Sequence, residues 1–318
     1  MKCPACKNSH RRKDGPKCSK CERPFVFFDR GAGITDHRFS HLIDRASAAG
    51  TQYFTRNQLA TQWALAGARA GGMARIVVGS IFGLSGGAVA IGVTPVGAVI
   101  AVAGLALLIS GVVARRNPAP PDLSRMQGWI AQWTAAGHEI PLLLGEPGLD
   151  RSPPQFREPD VFDYGVERIL IVQHDILVDL FVRNNVHATQ RALVISERGY
   201  PSYLLPVAQR LLATSPDLPI FLLHDADTQG LMMRARLERS GMLPLAGRRI
   251  IDAGLTPRDV GRIGKLRALG PKARGNALPA DALPFALLAG GFALAFADNV
   301  PLTDLIDRKD PDGRASFG

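Results

Sequence analysis

Apolar and polar positions divide the chain into stretches of unlike character. From residue 161 onward, short apolar runs alternate with segments of helical spacing, the pattern of a parallel sheet with crossover helices. RILIVQ (168–173) predicts a buried strand and DILVDLFVRNN (175–185) a helix; RALVISE (191–197) a second strand and PSYLLPVAQRLLAT (201–214) a second helix. PIFLLHD (219–225) and TQGLMMRARLERS (228–240) repeat the pair, and RRIIDAG (248–254) predicts a fourth strand before TPRDVGRIGKLRAL, whose Thr256 and Pro257 suit N-cap and first helical position. In such sheets ligands collect at the carboxyl ends of the strands, where Gln173, Glu197, Asp225 and Asp227 fall.

The first half reads differently. Residues 34–72 predict a small helical segment, with Thr55 as an N-cap. From Ile76 to Ala114 there follow 39 residues without a charge. A single helix of that length would span about 58 Å, about twice the hydrocarbon core of a bilayer. Two helices of about 18 residues, broken near Thr94 and Pro95, match a membrane better. The expectation is a transmembrane helical hairpin over 74–115, packed through Gly79, Gly83, Gly86 and Gly87. Arg75 before it and Arg115 and Arg116 after it place both termini in the cytoplasm, at the inner membrane. A buried hairpin in a soluble core is the alternative. Residues 116–160 read as a Pro-rich linker with a short helix near 126–136. In the last segment, 276–318, LPFALLAGGFALAFA (283–297) predicts a buried or interfacial helix before a polar tail.

Composition sharpens the question of partners. Hydrophobic residues make up 46% of the 318, enough for a buried core, and the formal charge is +10. Residues 1–30 hold nine Lys/Arg against three Asp/Glu, and residues 233–275 eleven against three. Two basic patches suit an anionic partner, nucleic acid or acidic lipid headgroups; a solvated basic surface is the plain alternative. Met1 is followed at once by Lys2 and Cys3, so no export signal is expected.

All four cysteines fall in the first 21 residues, as Cys3-x2-Cys6 and Cys18-x2-Cys21. Each pair can fold a turn that offers two thiolates to one ion, and two such turns complete a tetrahedral zinc site. KDGPK between them supplies Gly and Pro for a tight hairpin. Two disulfides or four unpaired thiols are the alternatives, and the absence of an export signal favours zinc. Residues 1–30 resemble a zinc ribbon: a structural centre with sulfur at all four positions, and a possible contact for a protein partner.

The stretch ILIVQHDILVDLFV…ALVISERGYPSYLLPVAQRLL…LPIFLLHDADTQGLMM resembles the Toprim domain, in the version found in the A subunits of topoisomerase VI and the related meiotic break-forming proteins. The order of elements agrees, as do GYP after the second strand, DAD-x-x-G after the third, and IDAGLTPRDV beyond. The resemblance covers about 165–270 and implies an α/β Toprim-like fold over 161–275. It also implies Mg²⁺ held by Asp225, Asp227 and a glutamate ending the first strand, in support of phosphodiester chemistry on DNA. That glutamate falls at Gln173, a neutral amide that cannot act as a carboxylate base. His174 and Glu197 are the candidates to take its role, and a helix N-cap is the alternative role of Asp227.

The family's topoisomerases attack DNA with a tyrosine on a preceding winged-helix domain. Here only Tyr53, Tyr164, Tyr200 and Tyr203 occur, and the chain before residue 165 leaves no room for that domain, so a topoisomerase is not expected. Three readings follow. The first is a membrane-anchored Toprim-like protein that binds nucleic acid or a phosphorylated ligand through Mg²⁺ with weak or no catalysis. The second is a Mg²⁺-dependent nuclease or phosphoesterase at the membrane. The third is a structural membrane protein that uses ribbon and Toprim fold for protein contacts.

Overall fold

The computed structural model describes residues 1–90, 95–116, 122–151, 165–262 and 277–298. After the N-terminal ribbon come α1 (Asp36–Ala46), β1 (Phe54–Thr55), α2 (Arg56–Ala90), α3 (Pro95–Arg116), α4 (Leu123–Ala135) and β2 (Leu143–Leu144). The second half runs β3 (Arg168–Val172), α5 (Asp175–Arg183), α6 (Val186–Thr189), β4 (Ala192–Ser196), α7 (Leu205–Thr214), β5 (Ile220–Leu223), α8 (Thr228–Leu231), α9 (Met233–Ser240), β6 (Ile250–Asp252), α10 (Pro257–Arg262) and α11 (Phe285–Asp298).

The second half forms one parallel sheet in the order β4-β3-β5-β6. The central strands β3, β4 and β5 are almost wholly apolar because both faces are covered. Leu170, Val172, Val194, Phe221 and Leu223 face one layer, with Phe181 of α5 and Phe292 and Phe296 of α11. Ile169, Ile171, Leu193, Ile195 and Leu222 face the other, with Leu211 and Leu212 of α7 and Leu237 of α9. From β3 the chain steps to β4 over α5, then returns past β3 to β5 over α7 on the opposite face. Same-handed crossovers require that change of face when the direction reverses, and it leaves a crevice between the carboxyl ends of β3 and β5. The apolar segment 283–297 is the buried helix α11, which completes the first layer.

The first half builds a helical unit on an aromatic cluster. Phe27, Phe39 and Trp133 pack ring against ring, and Trp129 meets Trp63 of α2 edge to face at 4.8 Å. Buried Asp36 ties the ribbon to α1 by accepting the N–H groups of Val26 and Phe27 at 3.0 and 2.9 Å. Thr55 is the N-cap of α2 in a reciprocal capping box: Gln58 N–H donates to Thr55 Oγ1 at 3.2 Å and Thr55 N–H to Gln58 Oε1 at 3.0 Å. Gln58 also donates to Leu283 O, and Asn184 bonds both backbone groups of Tyr53, so the two halves meet along residues 53–58.

The long uncharged stretch does form a helical pair, but among the described residues no helix is long and apolar enough to cross a membrane. The transmembrane hairpin over 74–115, the membrane-anchored function, the lipid bilayer as a partner and the inner-membrane location with cytoplasmic termini are corrected accordingly. An uncharged run is not an apolar one. Gly, Ala, Ser and Thr fill 19 of its 39 positions. The first turns of α2, moreover, belong to the aromatic cluster through Leu59 and Ala60. The expected break at Thr94 lies outside the described residues.

Gly79 carries the close approach of α2 and α3: a Cβ there would sit 2.7 Å from the Leu108 backbone nitrogen and 2.8 Å from Gly104 O. Gly79→Val should therefore force the helices apart and cost about 1–3 kcal/mol in urea unfolding. Gly67→Ala, where a Cβ meets nothing within 4 Å, should gain about 0.5–1 kcal/mol from helix propensity.

Candidate functional site

Two sites emerge, one of sulfur and one at the crevice. In the ribbon each Cys-x2-Cys folds the same knuckle. Lys7 N–H donates to Cys3 O and Glu22 N–H to Cys18 O, while Cys3 and Cys18 N–H groups donate to Asn8 O and Arg23 O. The residue after each second cysteine, Lys7 and Glu22, turns the chain at φ 58°. His10 locks the loop between the knuckles. Its Nε2–H donates to Gly15 O at 2.8 Å and its Nδ1 accepts from Ser19 N–H at 3.3 Å, which takes it out of the ligand set.

The four Sγ atoms lie within 4.8 Å of one another, with Cys3···Cys21 and Cys6···Cys18 at 3.6 Å. That excludes disulfides and suits a metal ion such as zinc: Zn–S bonds of about 2.3 Å in a tetrahedron put sulfurs about 3.8 Å apart. The proton affinities fit the same ion. N–H groups of Lys20 and Cys21 pull the Cys18 thiol down to about 6. Arg23 N–H pulls on Cys21 in the same direction, yet the neighbouring sulfurs, Cys6 first, and desolvation push it up to about 12. Four thiols so close shed their last proton only when a cation replaces it.

At the crevice, Asp225 is gripped at every polar atom. Its N–H donates to Gln173 Oε1 at 2.8 Å, and its carbonyl accepts from His224 Nδ1–H at 2.8 Å. Oδ1 accepts from Ala280 N–H at 2.8 Å, and Oδ2 lies 3.0 Å from His174 Nε2. The hydrogen bond to Asp225 raises the His174 pKa; burial works against it, and the charges of Asp225 and Asp281 add to the rise. His224 is buried. Burial lowers its proton affinity, but the Asp252 carboxylate 3.0 Å from Nε2 and the Asp225 carbonyl outweigh that. The Nε2 contact is one of charge rather than an aligned hydrogen bond. Gly230 of DAD-x-x-G is required by this packing, since a Cβ there would lie 2.0 Å from Asp225 O.

The other strand-end acids face elsewhere. Asp227 caps α8, accepting Gly230 N–H at 2.7 Å. Glu197 is held by both arms of Arg236, at 2.5 and 2.7 Å. The structure thus brings Gln173, His174 and Asp225 together, turns Asp227 into a cap and commits Glu197 to an arginine. A Mg²⁺ site on Asp225 and Asp227 does not fit this arrangement. Among the described residues the cysteines are the sole group of three or more His, Cys, Asp or Glu side chains placed to hold a metal. Both Asp225 oxygens and the Gln173 oxygen are already used.

Two acids escaped the sequence pattern. Asp179, within α5, is fully buried and accepts from Tyr200 OH at 2.5 Å and Gly148 N–H at 3.1 Å, with Arg183 at 3.2 Å, so the tyrosine of GYP is an anchor. Asp281, next to the Ala280 that grips Asp225, is 7% exposed and accepts from Asn57 Nδ2 at 2.7 Å. Burial raises its pKa, the Asn57 bond opposes, and the Asp225 charge adds to the rise. An isolated Asp after a loop Pro-Ala carries no periodic signal that could have marked it.

Fold and sites together define an α/β protein with a doubly wound parallel sheet, a four-cysteine cluster placed to hold a metal ion, and a polar crevice at the sheet's switch point. Comparison with family models, with curated proteins and with solved structures finds no match in any of the three.

Purified chain should carry one zinc per molecule by elemental analysis. Cys18→Ser should lose it along with the ribbon's protease resistance, because metal binding supplies most of the folding energy of such a segment. The His174–Asp225 pair sets a second expectation. A folded-state histidine pKa raised above the unfolded value gives stability that is full below about pH 6.5 and lost as pH rises through the folded pKa. Urea stability should therefore fall with rising pH in that window. His174→Gln should flatten part of the fall, leaving the share that His224 contributes with the same sign.

Proposed function

We propose that the chain is a zinc-ribbon protein whose Toprim-like domain takes part in binding nucleic acid and does not cleave it. The observation that carries the reading is the state of the strand-end acids: Asp225, Asp227 and Glu197 are each neutralised or hydrogen-bonded within the fold, and the first strand ends in the amide of Gln173. Phosphodiester cleavage at a Toprim site requires carboxylates that face a metal and substrate together. Here the acids hold the protein to itself.

The order of βα elements, GYP after the second strand and DAD-x-x-G after the third support the Toprim likeness. Mg²⁺ on Asp225 and Asp227 forms no part of this reading, because Asp225 is engaged by His174 and Ala280 while Asp227 is turned to cap α8. The ribbon supports the choice of partner. Lys2, Lys7, Arg11, Lys13, Lys17 and Lys20 are exposed around the two knuckles, against exposed Asp14 and Glu22. A cationic surface held rigid by a metal centre suits a phosphate backbone. Two of the three arginines of α9 are less available: Arg236 pairs with Glu197 and Arg234 with Glu238. Elsewhere in the second basic patch Arg239, Arg249 and Arg258 are exposed, and the segment 263–275 lies outside the described residues.

Full-length protein should bind single- or double-stranded DNA in fluorescence anisotropy, with log K falling linearly in log salt by about 0.7–0.9 per phosphate neutralised. Lys7→Glu with Lys20→Glu should weaken binding and flatten that slope. Supercoiled DNA incubated with Mg²⁺ or Mn²⁺ should remain intact. Cleavage that disappears in Asp225→Ala would overturn the reading in favour of a nuclease.

A further inference from the structure

Beside the crevice lies a cavity of about 210 Å³, where the helical unit meets the sheet domain. One wall is apolar, formed by Met126 and Leu123 of α4, Leu144 of β2 and Ile176 of α5. The polar lining comes from Arg56, Asn57, Gln127 and Asp281. The two charged groups differ in their surroundings. Asp281 is almost fully buried, its side chain hydrogen-bonded to the neutral amide of Asn57, and among the described residues it forms no ion pair. Arg56 is exposed, its guanidinium running past Gly145 at the cavity's edge.

A buried carboxylate that meets no cation is costly to the fold, and burial raising its pKa is the mark of that cost. The fold nevertheless keeps it where it lines an accessible space. The other acids drawn into the fold are met by protein groups, Glu197 by Arg236, Asp179 by Arg183 and Tyr200, and Asp36 by two backbone N–H groups. The cation missing from Asp281 is then supplied from outside. Arg56 adds a positive charge to the same lining, and the apolar wall asks for a hydrocarbon body beside the two charges.

We propose that this cavity binds a small zwitterion of the α-amino-acid type, its ammonium group taken by Asp281, its carboxylate by Arg56, and an apolar side chain by the wall of Met126, Leu144 and Ile176. The site is independent of the ribbon and of nucleic-acid binding. Its position gives it a consequence: Asp281 follows the residue whose N–H grips Asp225, and Thr55, the N-cap of α2, donates to the Asp281 carbonyl. A ligand there joins the helical unit to the sheet domain.

The test is isothermal titration of the full, zinc-loaded chain with L-leucine and L-methionine, beside 4-methylpentanoate, which lacks the ammonium group, and 3-methylbutylamine, which lacks the carboxylate. Leucine should bind, and each truncated analogue should bind at least about tenfold more weakly. Asp281→Asn keeps an oxygen to accept from Asn57. It should weaken leucine binding about a hundredfold, as loss of one partner of a buried charge pair does. Arg56→Gln, at an exposed position, should fold normally and weaken leucine binding about tenfold. Lys7→Glu with Lys20→Glu should leave leucine binding unchanged, which separates this site from the nucleic-acid reading. Absence of binding by every standard α-amino acid at millimolar concentration overturns the proposal. So does leucine affinity indifferent to both Asp281→Asn and Arg56→Gln, or an amine that binds as tightly as leucine.

Discussion

Three stretches of the chain meet at Asp225, residues 173–174, its own strand end and the 277–283 segment, and the crevice exists in its present form because of that. The end of β3 reaches it through Gln173, the start of α5 through His174, its own strand through His224, and the 277–283 segment through Ala280. Each contact uses a different polar atom of one residue. The 277–283 segment in turn sets the start of α11, whose phenylalanines cover one face of the sheet. It also carries Asp281 to the boundary with the helical unit. A charge at a strand end, unstable by itself, has become the point from which two layers and a domain boundary are positioned.

The same constraint, a carboxylate drawn out of water, is met in several ways across the molecule. Asp36 is satisfied by two backbone N–H groups, Asp227 by its own helix, and Asp179 by a tyrosine, an arginine and a backbone N–H. Glu197 takes a bidentate arginine, the strongest of these pairings for its geometry. Among the described residues Asp281 takes the side-chain amide of Asn57 and no lysine or arginine. Because the solutions are local and complete elsewhere, the incomplete one points outward to a ligand.

What the sequence disclosed depended on how local the cause was. The Cys-x2-Cys spacings announced the metal centre because a knuckle is made by five neighbouring residues. The strands of the sheet domain were legible because a strand buried on both faces is a short unbroken apolar run, as RILIVQ is. Thr55 was visible as a cap, although its partner Gln58 and its bond to the Asp281 carbonyl were not. The uncharged stretch misled because hydropathy depends on what replaces charge, and here glycine and alanine did so. The cap role of Asp227 was legible as the alternative reading because it is local, whereas the fate of Glu197 was hidden: Arg236 lies 39 residues away, and spacing says nothing about such pairs. Asp281 was invisible because it belongs to no repeat or motif.

Gln173 is the residue whose chemistry decides what the crevice can be. A glutamate in its place could accept the same Asp225 N–H, but it would set a third negative charge beside Asp225 and close to Asp281. His174 stands near as a counter-charge, and its imidazole is half exposed. Three such carboxylates would require a bound divalent ion, or would hold protons in its absence. The amide keeps the acceptor and removes the charge, so the edge of the sheet is complete without an ion. A crevice that is closed by its own hydrogen bonds gives up the means to activate a phosphate. It gains a fixed wall against which the helical unit, and the cavity at the boundary, can be built.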